Sequence, residues 1–139
     1  MDVYLLQNRN TKERIQLASV KPHFRPAVRA GDFIFVSGQM PFDDNFNVVG
    51  NEIVAQTKQC LKNVASALAL EGANLGHVVK VMVWLTDTED FPAFNETYAT
   101  AFPDAPPARA TVCSALMVPG ARVEIEATAF YPASAAKEQ

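Results

Sequence analysis

The chain has 139 residues, 49% of them hydrophobic and 19% charged, which is the composition of one folded domain and not of a disordered segment. A net charge of −3 leaves no basic field to gather a polyanion, which argues against nucleic-acid binding as the main role. Two cysteines far apart and two histidines, His23 and His77, provide neither a disulfide framework nor zinc-ligand spacing, so no metal is expected.

No apolar run reaches the length of a membrane span, and the N-terminus lacks a basic segment followed by an apolar one. The expectation is a cytoplasmic protein with no membrane partner. Residues 1–12 are polar and read as a loosely held N-terminus, and Ile15-Gln16-Leu17-Ala18 as a short first strand. Pro22 and Pro26 bracket His23, Phe24 and Arg25 in a segment that cannot be regular, because proline fixes its own φ and restricts the preceding residue. Ala30-Gly31-Asp32 is a turn. Phe33-Ile34-Phe35-Val36-Ser37 is a strand ended by Gly38, and a turn at Asp43-Asp44-Asn45 would make a hairpin with Phe46–Val49.

A long helical pattern follows, with Asn51 as N-cap and Gly72 as the stop. Ile53, Thr57, Cys60, Leu61, Val64, Ala67 and Leu68 fall on one face, where Cys60 reads as a small buried hydrophobe. Val78 to Thr86 is apolar on both faces apart from Lys80, which predicts a strand covered on both sides, with Trp84 in core or interface. Asp87 and Thr88 cap a second helix with Pro92 in its first turn, and Phe91, Phe94, Tyr98, Ala101 and Phe102 share a face.

Pro103 and Pro106-Pro107 end that helix and lead into two strand-like runs, Ala108 to Leu116 and Ala121 to Tyr131, joined by a turn around Pro119-Gly120. Arg109 opens the first run. In the second, Glu124 and Glu126 share one face while Val123, Ile125, Ala127 and Ala129 share the other. Like charges on one face are unfavourable unless a cation or a site compensates, and Arg109 and Arg122 are the cations nearby. These strands are read as carrying a pocket that grips an anionic small molecule and activates water beside it.

The fold class is α+β, a mixed sheet with two helices on one face, in one domain of 1–139 with a tail at 133–139. Two helices cover one face only, so the second face is expected to pack against identical subunits, in a number that the residues do not fix.

Ala27-Val28-Arg29-Ala30-Gly31-Asp32, Val36-Ser37-Gly38-Gln39-Met40-Pro41, Gln56-Thr57, Asn95-Glu96-Thr97-Tyr98, Pro107-Ala108-Arg109 and Pro119-Gly120-Ala121-Arg122-Val123-Glu124-Ile125-Glu126-Ala127 occur in register. From about Phe24 to Tyr131 the chain resembles the Rid family, also called YjgF or reactive intermediate deaminase. The resemblance implies a chorismate-mutase-like sandwich, a homotrimer with pockets between subunits, and cofactor-independent hydrolysis of enamine and imine acids, released by pyridoxal-phosphate or oxidase enzymes, to 2-keto acids and ammonia. It implies that Arg109 clamps the substrate carboxylate, that Glu124 orients or activates the attacking water, and that Ser37 and Asn95 line the pocket. Two positions depart from the family pattern. Phe24 stands where many members have tyrosine, and Thr111 where many have cysteine, so Thr111 would serve through its backbone. These departures keep open a non-catalytic ketoacid-binding regulatory module and a pathway-specific deaminase of an aminoacrylate- or aminomuconate-like compound. A ribonuclease role, also attributed to family members, fits the negative charge least well. Arg109 and Glu124 could instead be a structural ion pair, Glu126 is read as structural or solvent-facing, and both histidines as ordinary loop residues.

Overall fold

The computed structural model describes residues 22–136, so the expectations for residues 1–12 and for the strand at Ile15 to Ala18 lie outside the described residues. Ten elements follow one another: β1 (Ala27–Ala30), β2 (Phe33–Gln39), α1 (Ile53–Ala69), a 3-10 turn at Leu75–His77, β3 (Val78–Leu85), a second 3-10 turn at Thr88–Asp90, α2 (Phe91–Ala99), β4 (Ala108–Cys113), β5 (Val123–Phe130) and α3 (Ala133–Ala136). The five strands form one sheet in the order β1-β2-β5-β3-β4, antiparallel except for the parallel pair β3–β4. This is the expected α+β architecture, a mixed sheet with its two main helices on one face.

Local chemistry explains the elements. β1 and β2 join through Gly31-Asp32, with Gly31 at φ 62°, the left-handed geometry that a two-residue hairpin turn demands of its first central residue. Helix α1 buries Ile53, Thr57, Cys60, Leu61, Val64, Ala67 and Leu68, the predicted face, and adds Gln56 to it. These side chains pack on Ile34, Val36, Val81, Val83, Val123, Ile125, Ala127 and Ala129, the inward positions of three strands. Fully burying a side chain of this size contributes about 1.5–3 kcal/mol, so this layer dominates the stability.

Several expectations are corrected. Ala27–Ala30, to which the sequence assigned no element before the turn at Ala30-Gly31-Asp32, is a strand because it pairs with β2 across the hairpin. The hairpin to Phe46–Val49 reduces to one bridge, Phe42 to Val48, because the Asp43 carboxylate accepts from the backbone of Asn45 and Asn47 and bends the chain into a compact turn. The N-cap position of α1 is Glu52, not Asn51, and it makes no side-chain cap bond. A 3-10 turn, with Asp87 Oδ1 accepting from Glu89 N, precedes α2. β4 stops at Cys113 and β5 starts at Val123. Most consequentially, those two runs are not neighbours, because β3 lies between them. Residues 133–136 of the expected tail are helical.

β3 is apolar on both faces in sequence, yet in the single chain only Val78, Val81, Val83 and Leu85 are buried, while Met82 and Trp84 on the other face are half-exposed. Phe33, Phe35, Val112 and Phe130 are exposed. Register puts Met82 opposite Glu126 and Trp84 opposite Glu124, so this open face also carries both glutamates.

Candidate functional site

Arg109 sits at the start of the edge strand β4, in register with the buried Val81, and its side chain turns to the helix side. Its Nη2 donates to Asn95 Oδ1 at 2.8 Å. The guanidinium lies over three rings of α2, with Cζ 4.7 Å from the Tyr98 centroid, 5.4 Å from Phe94 and 5.8 Å from Phe91. Each such contact is worth about 0.5–2 kcal/mol, according to how dry it is, so the fork is held in one plane before any ligand arrives. Among the described residues Arg109 makes no ion pair. Its positive charge lowers the Tyr98 pKa, but burial, the larger effect, leaves that phenol above its usual value. The Tyr98 hydroxyl has no hydrogen-bond partner.

Thr111, two residues on, points to the same side and walls a small cleft of about 130 Å³ with Leu85, Thr88, Phe91, Val112 and Cys113. Its Oγ1 is buried without a partner. Cys113 is exposed and Cys60 is buried, with its Sγ 3.3 Å from the Gln39 carbonyl, as a structural thiol should be. Burial, and secondarily the charge of Glu124, raise the Cys60 pKa well above its ordinary value, so it is inert at neutral pH.

Glu124 lies on the open face of β5, half-buried, with Gly38 of β2 directly beneath its carboxylate. The expectation that a nearby arginine holds it ionised is corrected. Arg109 is on the far side of the sheet, and Arg122 is engaged elsewhere. The carboxyl group instead has a raised pKa, first because burial disfavours its charge and second because Glu126 repels it. Glu126 is exposed, in line with a solvent-facing role.

Ser37 ties the proline-bracketed loop to the end of β2. Its hydroxyl donates to the Arg25 carbonyl at 2.6 Å and its N–H to the Pro26 carbonyl at 2.9 Å. That loop carries Phe24, which with Pro26, Gly38, Met40, Phe42 and Phe46 lines a cleft of about 210 Å³. The candidate residues therefore form two groups: Arg109, Asn95 and Thr111 at the β4 edge on the helix side, and Glu124, Ser37 and Phe24 around the end of β2.

Sequence reasoning missed the partners of two residues that set this frame. Arg122 makes a bidentate ion pair with Asp90, Nε to Oδ2 at 2.9 Å and Nη2 to Oδ1 at 2.8 Å, and is spent there instead of compensating the glutamates. Gln56 is fully buried, donates to the Gly120 carbonyl at 2.9 Å and accepts from Arg122 N at 2.7 Å, which pins the turn entering β5. A glutamine inside the apolar face of α1 was the available signal. His77 is more than a loop residue, since its Nδ1 accepts from Asn74 N at 3.0 Å and its ring packs on Tyr131. Among the described residues no group of His, Cys, Asp and Glu could hold a metal ion, and no helix is long and apolar enough to cross a membrane.

Comparison with known proteins agrees with this geometry. A family model described as Endoribonuclease L-PSP matches residues 14–131. Protein DfrA of Myxococcus xanthus is 42% identical over 103 residues, 73% of this chain and 79% of that protein. The 3-aminoacrylate deaminase RutC of Acinetobacter baylyi is 37% identical over 105 residues, 75% of this chain and 83% of its own. The crystal structure of yeast Mmf1 superposes with a TM-score of 0.76 at 32% identity, covering 81% of this chain and 90% of that one. A mixed five-stranded sheet under two helices, the matched span and these relatives together place the chain in the YjgF/Rid family.

Proposed function

We propose that this protein is a hydrolytic deaminase of reactive 2-enamine and 2-imine acids, in which Arg109 binds the substrate carboxylate and Glu124 positions or activates water. The observation that carries this reading is the state of Arg109, a guanidinium locked by Asn95 and three rings yet facing no carboxylate among the described residues. A structural arginine at the edge of a sheet would be paired; this one presents a fork suited to bidentate capture of a carboxylate. Similarity to a protein named 3-aminoacrylate deaminase supports the same chemistry.

In the reaction, water adds to the electrophilic C2 of the imine while Glu124 takes its proton. Returning that proton to the nitrogen gives the carbinolamine, whose hydroxyl proton then passes by way of the same carboxylate to the amino group, so that ammonia leaves and C2 becomes the carbonyl of a 2-keto acid. An enamine substrate first tautomerises to its imine. A carboxyl group with a raised pKa suits both halves of this cycle, because it is a better proton acceptor than an ordinary carboxylate and a usable donor afterwards. The scheme needs no cofactor. The substrate is a small molecule supplied by pyridoxal-phosphate or oxidase enzymes, and the setting is the cytoplasm.

Arg109 and Glu124 lie on opposite faces of one sheet, so one chain cannot bring both to one substrate. Pockets between the subunits of a homotrimer would, with the open face of Phe33, Phe35, Trp84 and Phe130 covered by the neighbouring copy. A ribonuclease would need a basic track or a histidine pair, and His77 is committed to a turn cap.

The decisive experiment generates 2-iminobutyrate and 2-aminoacrylate in situ and follows 2-keto acid formation against semicarbazone trapping. Acceleration by wild type that Arg109→Ala and Glu124→Ala both abolish is expected. No acceleration, alongside Arg109-dependent ketoacid binding, would replace the enzyme by a binding module.

A further inference from the structure

The end of β2 is irregular in a way that bears on Glu124. Val36 pairs with Ala127 and Gln39 with Ile125, so three residues of β2 advance against two of β5, and the extra residue makes a bulge at Ser37-Gly38. Gly38 has no positive φ, so its backbone conformation is open to any residue. What it lacks is room. A Cβ built there would overlap Glu124 Oε1 and stand 3.2 Å from Cδ. The glycine is thus required by the carboxylate above it and not by the turn.

We propose that Gly38 is a positioning residue whose missing side chain provides the seat on which the Glu124 carboxylate rests, and that the bulge is fastened so that this seat cannot yield. The inference rests on the role assigned to Glu124 above. The fastenings lie on every side of the bulge. Ser37 N donates to the Pro26 carbonyl at 2.9 Å and Gln39 Nε2 to the Ser37 carbonyl at 2.9 Å. The buried Cys60 thiol donates to the Gln39 carbonyl, and Asn63 Nδ2 to the Met40 carbonyl at 2.9 Å. Cys60 Sγ also lies 3.6 Å from the carbonyl of Val123, the residue preceding Glu124. One thiol thereby ties the two strands at the point where seat and carboxylate meet.

With backbone held on both sides, an added methyl is accommodated by the softest neighbour, the far end of the Glu124 side chain. Gly38→Ala should therefore fold normally and act at a distance of one carboxylate. The titratable groups around that carboxylate are Glu126 on its own strand and Cys60 from α1; β2 brings no charge, and Lys80, the one cation of β3, is in register with Thr128, two cross-strand pairs away.

The test compares wild type, Gly38→Ala, Glu124→Asp and the double variant Gly38→Ala/Glu124→Asp. Turnover of 2-iminobutyrate, thermal unfolding and the ¹³C resonance of the residue-124 carboxyl across pH are measured on each. Gly38→Ala is expected to lower kcat at least tenfold with KM within about twofold, since the carboxylate anchor is Arg109, and to leave the unfolding temperature unchanged. Its Glu124 resonance should titrate at lower pH, as the carboxyl is lifted towards water. In the double variant the shorter aspartate clears the methyl, so Gly38→Ala should cost less in the Glu124→Asp background than in wild type. Wild-type kcat together with an unmoved Glu124 titration in Gly38→Ala overturns the proposal, as does equal loss in both backgrounds. If no imine is turned over even by wild type, the deaminase reading fails instead, and the carboxyl titration alone still decides whether Gly38 seats Glu124.

Discussion

Asn95 accepts from Arg109 at 2.8 Å from one turn of a helix whose next ring, Tyr98, lies under the same guanidinium. The bond and the ring fix different degrees of freedom, one the rotation of the fork in its plane and the other the plane itself. Asn95→Ala should release only the first. The expected loss in kcat/KM is about fivefold, for a bond worth about 1 kcal/mol, and should appear mainly in KM. Arg109→Lys keeps the charge but not the fork, and should lose roughly 10- to 100-fold. Steady-state kinetics on one imine checks both; a lysine variant as active as wild type would show that charge alone is bound.

A different balance governs Glu124→Gln. Folding raises the Glu124 pKa, by burial first and by Glu126 second, so folding favours the protonated form. The stability this confers is fully present below the unfolded-state value of roughly 4.3 and is lost as pH rises through the folded value. Glutamine mimics the protonated state. At neutral pH the variant should unfold at a higher temperature than wild type, with the gain disappearing towards pH 4. Its kcat should fall by roughly 10²–10⁴, and the acidic limb of the wild-type pH–rate profile, set above the ordinary carboxylate range, should vanish. Denaturation at a series of pH values, beside the rate profile, reads both.

How much of this was legible beforehand depends on the range of the interaction. The apolar face of α1 and the alternation of Val123, Ile125, Ala127 and Ala129 are properties of period, and each was readable from its own stretch of chain. Strand neighbours are not local. Ala108–Cys113 and Val123–Phe130 follow one another with a turn between, the pattern of a hairpin, yet β3 inserts between them because its two apolar faces are better buried at an interior position than at an edge. That insertion decides the site: it leaves Arg109 and Glu124 on opposite faces, where sequence proximity had suggested a pair. Arg109 and Glu124 were singled out by charge and strand pattern, and the roles of Ser37, Asn95, Phe24 and Thr111 came from a resemblance, whereas Gly38 and Gln56 acquire their meaning only from what stands against them in space.

Gln56 shows what such a residue is worth. Its amide joins the Gly120 carbonyl and the Arg122 N–H, and it is fully buried. Gln56→Leu keeps the volume and strands both backbone groups without partners. At about 1–3 kcal/mol for each, the loss should be roughly 2–6 kcal/mol. Because this turn leads into Val123 and Glu124, activity should drop with stability. Urea denaturation measures the first; a Leu variant within about 0.5 kcal/mol of wild type would mean that water replaces the amide.

Thr111 invites the opposite change. Its hydroxyl is buried with no partner, which costs free energy, while its branched Cβ suits the strand. Thr111→Val should stabilise by about 1 kcal/mol and, on the proposal that this position serves substrate through its backbone, leave kcat/KM for aliphatic imines near wild type. A large loss of activity in Thr111→Val would instead give the hydroxyl a partner in the substrate.

The opposition of Arg109 and Glu124 across the sheet yields the sharpest prediction. If each pocket takes its arginine from one chain and its glutamate from the next, Arg109→Ala and Glu124→Ala are complementary defects. Each is inactive alone. In trimers assembled from an equal mixture, an interface works when the Glu124→Ala chain contributes the arginine and the Arg109→Ala chain the glutamate. Random assortment makes that so for about a quarter of interfaces, so denaturing and refolding the mixture should restore about a quarter of the wild-type rate. Refolding each variant separately and then mixing should restore nothing until subunits exchange. If both residues acted from the same chain, no mixture would recover activity, since every chain lacks one of them.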